Sequence, residues 1–184
     1  MAVVERIIES LVHNFADLGD VESATRVGLR LVLAAGLGGA LGYERENVGK
    51  PAGLRTHMLV AIGSALFVLA PRESGADQQA ISRVVQGLVA GIGFLGAGSI
   101  LKYREGHSEV IEGLTTAASV WTTAAIGVTV AMGRGSTAVV ATLLALIVLR
   151  VLPNNESKPK SKIHLESDPK PASPSQLYSD HFNQ

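Results

Sequence analysis

The sequence predicts an all-α integral membrane protein with about five transmembrane helices, an N-terminal amphipathic helix and a disordered C-terminal tail. Three observations predict this class. Between Arg26 and Leu152 the charges gather in short clusters, separated by nearly charge-free runs of roughly sixteen to twenty residues, about the length that crosses a bilayer core. Glycine, alanine, valine and leucine dominate these runs while aromatic residues make up only 4% of the chain, a palette that lets membrane helices approach one another closely. After Pro153 the composition turns abruptly to Ser, Pro, Lys and acidic residues, which bury too little apolar surface to offset the entropy of ordering. The whole-chain averages, 47% hydrophobic and 17% charged, conceal this segregation. The expected division is an amphipathic helix over 1–22, a transmembrane domain over 23–152 and a cytoplasmic tail over 153–184.

Some functions are excluded at the outset. The chain has no cysteine, so a disulfide framework, a cysteine-containing metal site and a thiol nucleophile are all ruled out. The first residues are acidic and lack a positive region ahead of an apolar block, so no signal peptide is expected. No nucleic-acid partner and no cofactor are expected; the lipid bilayer is the expected surroundings.

The elements follow in order. From Met1 to Asp20, Val4, Ile7, Ile8, Leu11, Val12, Phe15 and Leu18 recur at helical spacing, which predicts a helix on the membrane surface or against the bundle. Val27 to Tyr43 is the first span, with Arg30 near enough to its end to snorkel to the interface and a Gly38-xxx-Gly42 pair suited to close packing. A charged loop from Glu44 to Arg55 follows, turning at Pro51 and Gly53. His57 to Ala70 is the second span, and Pro71 to Ser82 reads as a polar connection.

Arg83 to Lys102 is the third span, apolar throughout and carrying glycines at 87, 91, 93, 96 and 98. Its Gly91-Ile92-Gly93-Phe94-Leu95-Gly96 matches the GxGxxG string of dinucleotide-binding turns. That turn needs a preceding strand and an acidic residue about twenty positions on, whereas here the apolar run simply continues. The glycine stripe reads instead as a packing face, expected against Gly38 and Gly42 of the first span. Tyr103 to Gly113 is expected to be a loop. Leu114 to Met132 is the fourth span, where Thr115, Thr116, Ser119, Thr122 and Thr123 are tolerated because hydroxyls bond back to the preceding turn or across to a neighbour. Gly133 to Gly135 is a turn, and Ser136 to Leu152 is the fifth span.

Lys and Arg set the expected orientation. Arg45, Lys50, Arg55, Lys102, Arg104, Arg150 and the tail lysines fall on one side, against Arg6, Arg26, Arg72, Arg83 and Arg134 on the other. The N-terminus is therefore expected outside and the C-terminus in the cytoplasm.

Ionisable residues at membrane edges are the polar candidates, because burying them is costly unless they pair or serve a function. Glu44, Glu46 and Arg55 stand at the cytoplasmic mouth; Asp77 and Arg83 stand at the outer mouth, with Gln86 one turn inside and Thr115 opening the fourth span. As anchors they would fix the loops. As ligands, Glu44 or Asp77 would meet a hard cation such as magnesium. His57 is expected to snorkel at the edge, and Trp121 to pack mid-span with its N–H on a neighbouring helix. No nucleophile, base and orienting group come together, so no enzymatic activity is expected.

Four blocks carry a resemblance: Gly42-Tyr-Glu-Arg; Lys50-Pro-Ala-Gly-Leu-Arg-Thr-His-Met-Leu-Val; Gly91-Ile-Gly-Phe-Leu-Gly-Ala-Gly; and Gly113-Leu-Thr-Thr-Ala-Ala-Ser-Val-Trp. In this order, over roughly residues 26 to 150, they resemble the MgtC/SapB family of bacterial inner-membrane proteins. The resemblance implies a compact bundle of about five helices, a role in growth at low magnesium and in virulence, and restraint of the proton-driven ATP synthase through membrane contact. Longer members carry a soluble ACT-like domain after the last span, where only a tail is expected here. Two functions follow as expectations. One is a non-enzymatic protein acting by helix contacts with a membrane partner, or by self-association, through Gly38, Gly42, Gly87, Gly91, Gly93, Gly96, Gly98 and Trp121. The other is a small cation transporter or channel using Glu44 and Asp77.

Overall fold

The computed structural model describes residues 4–6, 21–105 and 108–152. Apart from residues 4–6, which are helical, the expected N-terminal helix lies outside them, as does the tail from Pro153. The described chain folds into five helices and one hairpin: α1 Val21–Asn47, α2 Leu54–Glu73, α3 Gln78–Gly98, β1 Leu101–Glu105, β2 Ser108–Glu112, α4 Leu114–Ala131 and α5 Gly135–Val151. Helices α1 to α4 are each long and apolar enough to cross a membrane; α5, at 17 residues, is also apolar and slightly shorter. At helical rise α5 still spans about 26 Å, close to the hydrocarbon thickness. The fold is that of an all-α, multi-pass membrane protein with a small hairpin attached.

Helix α4 is the axis of the bundle. Half of its most apolar stretch, 50%, is buried, against 11% for α3, so α4 is surrounded while α3 stands at the periphery. Helix α2 packs along both α1 and α4, and α3 leans on α4 and α2. The apolar core runs through Ala34 and Leu41 of α1, Ala61, Ala65, Val68 and Leu69 of α2, Ile126 and Val130 of α4, and Ala138 of α5. Most of these side chains are small, so the backbones come close.

The boundaries differ from the sequence expectation in ways that have local causes. The connection expected over Pro71 to Ser82 shrinks to residues 74–77. Helix α2 runs on through Pro71 to Glu73, because a proline this near a helix end removes only one of the final bonds. Helix α3 then starts at Gln78 because the Asp77 carboxylate accepts the Ala80 N–H at 2.7 Å, a side-chain cap. At its far end α3 stops at Gly98, short of the expected Lys102, and the segment expected to be a loop is an antiparallel hairpin. Its register runs from Leu101↔Glu112 to Glu105↔Ser108. Gly113, at φ +88°, returns the chain to the bundle, and a Cβ there would collide with the Ser99 carbonyl. A left-handed backbone and close approach together call for glycine.

Arginines finish the opposite end of the bundle. Arg30 donates to the Ala131 carbonyl at 3.3 Å and Arg72 to the Met132 carbonyl at 3.4 Å, so two cations meet the C-terminal carbonyls of α4. Arg30 thus ends on protein rather than only on the interface.

Candidate functional site

The end of the bundle that carries residues 48–53 holds a buried polar cluster at the junction of α1, α2 and α4. Glycine makes the junction possible. A Cβ on Gly38 would stand 2.8 Å from the His57 carbonyl oxygen and 2.7 Å from the Ala61 Cβ. One turn on, a Cβ on Gly42 would stand 2.7 Å from the Leu54 Cα and 2.9 Å from the His57 Cβ. Gly127 of α4 meets the Ala61 backbone from the other side, closer still. Helices α1 and α4 therefore clamp α2 at His57 and Ala61, with little more than their Cβ atoms between the backbones.

His57, expected at an edge, is 0% exposed. Its ring points back toward the start of α2, with Nδ1 3.0 Å from the Gly53 carbonyl oxygen and Nε2 3.1 Å from Ser119 Oγ. A carbonyl only accepts, so Nδ1 carries hydrogen and donates. Ser119 Oγ also lies 2.8 Å from the Thr116 carbonyl oxygen. Thr116, Ser119 and Thr123 are buried at helical spacing on one face of α4, and Thr123 donates back to the Ser119 carbonyl at 2.8 Å. Thr116 Oγ1 is buried without a hydrogen-bond partner, as is Ser64 Oγ two turns beyond His57 on α2.

Beside this cluster Glu44 and Arg45, both buried, form an ion pair in which Arg45 Nε donates to Glu44 Oε2 at 2.5 Å. The pair follows by two positions on α1 the glycine, Gly42, that packs against His57. Glu46 points outward and its Oε2 accepts the Leu54 N–H at 2.8 Å, capping α2 across the loop. Arg55 is exposed, and with Glu46, Lys50 and Thr56 it lines an open cleft of about 510 Å³.

The sequence candidates thus divide. Gly38 and Gly42 pack tightly, but against α2; the α3 stripe does not reach them. Gly87, Gly91, Gly93 and Gly98 have nothing within 4 Å of where a Cβ would be, and only Gly96 faces the bundle, 3.7 Å from the Ala117 Cβ. The expected packing of the stripe against α1 is therefore incorrect, because α2 already occupies the glycine face of α1. Trp121 is 49% exposed and borders an apolar groove of about 190 Å³ between α3 and α4, with Leu88 and Ile92 opposite. Of the polar candidates, Glu44 is in the buried cluster, Asp77 caps α3, Arg83 and Gln86 are exposed on α3, and Thr115 is half-buried beside Thr116. Gly127 joins the site unannounced by the sequence, and Arg45, Thr116 and Ser119 join it although the sequence marks them only as a loop charge and as tolerated hydroxyls. The three-and-four spacing of Thr116, Ser119 and Thr123 in an otherwise apolar helix was the available signal for a buried polar face.

Among the described residues no group of three or more His, Asp or Glu side chains converges in a way that would hold a metal ion. What the cluster offers chemically is a buried imidazole with two hydrogen-bond routes, next to a neutralised ion pair.

Comparison with known proteins places these features in a family. The chain is 42% identical over 132 residues to Protein SrpB of Synechococcus elongatus, an alignment covering 67% of this chain and 72% of that protein. It is 42% identical over 130 residues to the Putative magnesium transporter YhiD of Escherichia coli, covering 67% of this chain and 59% of YhiD. With Protein MgtC of Salmonella typhimurium it shares 42% identity over 118 residues, 64% of this chain and 48% of that protein. No solved structure matches. The family model described as the MgtC family matches residues 31–158, which hold α1 from Leu31 onward, the polar cluster and every later helix, and the chain belongs to the MgtC family.

Proposed function

We propose that this protein serves adaptation to low magnesium, and survival inside a host, by pairing the outer face of α3 with a helix of another membrane protein, the ATP synthase. The magnesium connection is supported by the name of the YhiD relative, and the family context by the MgtC relatives. One observation carries the contact mode: Gly87, Gly91, Gly93 and Gly98 lie open on α3, while Gly38, Gly42 and Gly127 are each filled by a neighbouring helix. Glycine is a poor helix former, and in membranes it recurs where a second backbone approaches. In this proposal the protein sits in the inner membrane with its N-terminus in the periplasm and its C-terminus in the cytoplasm.

The test places a photo-crosslinking residue at Phe94, which is 81% exposed among the open glycines, and a control at Val148 on α5. Capture of an ATP synthase subunit from Phe94 alone, lost in Gly91→Leu, supports the reading. Equal capture from both positions, or capture of lipid only, overturns it; capture of a second copy of this chain replaces the partner with self-association.

A cation transporter is the second reading, carried by the name of the YhiD relative. It asks Glu44 or Asp77 to hold an ion, yet Glu44 is paired with Arg45 and Asp77 caps α3. Magnesium flux into vesicles containing the purified protein would favour transport over contact.

A further inference from the structure

We propose that His57 is a proton-binding switch whose state is passed to α4 through the Ser119 hydroxyl. With Nδ1–H held by the Gly53 carbonyl, a neutral imidazole presents a bare Nε2, which only accepts. Ser119 Oγ, 3.1 Å away, must then turn its hydrogen to Nε2 and leave the Thr116 carbonyl. When the ring takes up a proton from water, Nε2–H becomes the donor. Ser119 then accepts from the ring and turns its own hydrogen to the Thr116 carbonyl at 2.8 Å. Both states are fully bonded, and they differ by one proton and by the direction of one hydroxyl. Ser119 thus bonds to α2 as donor in one state, and as acceptor in the other while bonding within α4.

The surroundings suit such a switch. From α1, Glu44 and Arg45 stand beside the site as a pair of opposite charges that adds no net charge of its own. From α4 come only hydroxyls, Thr116, Ser119 and Thr123. From α2 the nearest charge is Arg55, which is exposed, and from the loop come Glu46, bound to the Leu54 N–H, and the half-buried Lys50. Because Gly38 and Gly42 hold α1 against the His57 backbone, the ring has little freedom to answer a proton by moving away. The hydroxyl is the part that turns.

The test is NMR of the full chain in lipid nanodiscs with isotope-labelled histidine, followed from about pH 4 to about pH 9, either side of the ordinary imidazole value of about 6.5. The His57 signals are assigned by their loss in His57→Gln. In the wild type these signals should pass from a doubly protonated ring at low pH to a neutral ring protonated at Nδ1 at high pH. The midpoint should move in Ser119→Ala and stay in Thr122→Ala, whose hydroxyl bonds only to the Ala118 carbonyl on the exposed side of α4. If His57→Gln fails to fold, Ser119→Ala and Thr122→Ala still decide by comparison with the wild type. A ring that never titrates while the protein remains folded overturns the proposal. So does a midpoint that Ser119→Ala leaves unchanged.

Discussion

Gly42 of α1 lies so close to Leu54 of α2 that a Cβ on the glycine would stand 2.7 Å from the Leu54 Cα. Backbone atoms cannot step aside as a flexible side chain can, so even one added carbon must separate the helices. Gly42→Ala is expected to destabilise the bundle by about 1–3 kcal/mol, the usual cost of overpacking, and Gly42→Leu by more. Gly87→Ala on α3, where nothing lies within 4 Å, should be neutral or slightly stabilising. Unfolding of both variants in mixed micelles checks the pair. Equal losses at the two glycines would sink the division into packed and open faces.

The two classes of glycine show how far the sequence could be read. Span number, the charged loop ends and the tight role of Gly38 and Gly42 follow from charge segregation and small-xxx-small spacing, which are local properties. Which helix meets those glycines is not local. The α3 stripe has the same spacing as the α1 pair, yet α2 occupies α1 because a short loop brings it alongside, leaving α3 on the outside. The hairpin at Leu101–Glu112 was hidden for a similar reason: its charged residues read as a loop, and the pairing appears only with the register in hand. His57 looked like an edge residue by its distance from the charged loop. Its burial comes from its neighbours on α1 and α4, and from a ring that turns back along its own helix.

The ion pair of Glu44 and Arg45 gives a second prediction. Both side chains are buried, so removing one partner leaves the other charge without compensation. Glu44→Gln or Arg45→Met alone is expected to cost about 3–5 kcal/mol, and the double variant clearly less than the sum of the two. A double-mutant cycle from denaturant titrations measures the coupling. If the single losses simply add, the two residues do not act as a pair.

Asp77 offers a way to separate a structural carboxylate from a cation ligand. Its Oδ1 accepts the Ala80 N–H at 2.7 Å, a task that asparagine and serine also perform. Asp77→Ala is expected to cost about 1 kcal/mol, while Asp77→Asn and Asp77→Ser should keep stability near that of the wild type and support growth in low magnesium. Full stability with lost growth in Asp77→Asn would show that the negative charge itself is used, and would return the transport reading to first place.

The last prediction concerns a hydroxyl that has no partner. Thr116 Oγ1 is buried beside the His57 and Ser119 bonds, and nothing in its surroundings receives or supplies a hydrogen bond. Valine has nearly the same shape and removes the need for one, so Thr116→Val should raise stability by about 1 kcal/mol, since a buried polar group left unsatisfied costs about 1–3 kcal/mol. Ser119→Ala is the opposite case: its oxygen sits between His57 Nε2 and the Thr116 carbonyl, and its removal strips the ring of its second partner and should destabilise. Thermal unfolding of the two variants should therefore move in opposite directions although both lose one hydroxyl from the same face of α4. A loss in Thr116→Val comparable to that in Ser119→Ala would mean that the threonine hydroxyl is bonded after all, with a water molecule as the first partner to look for.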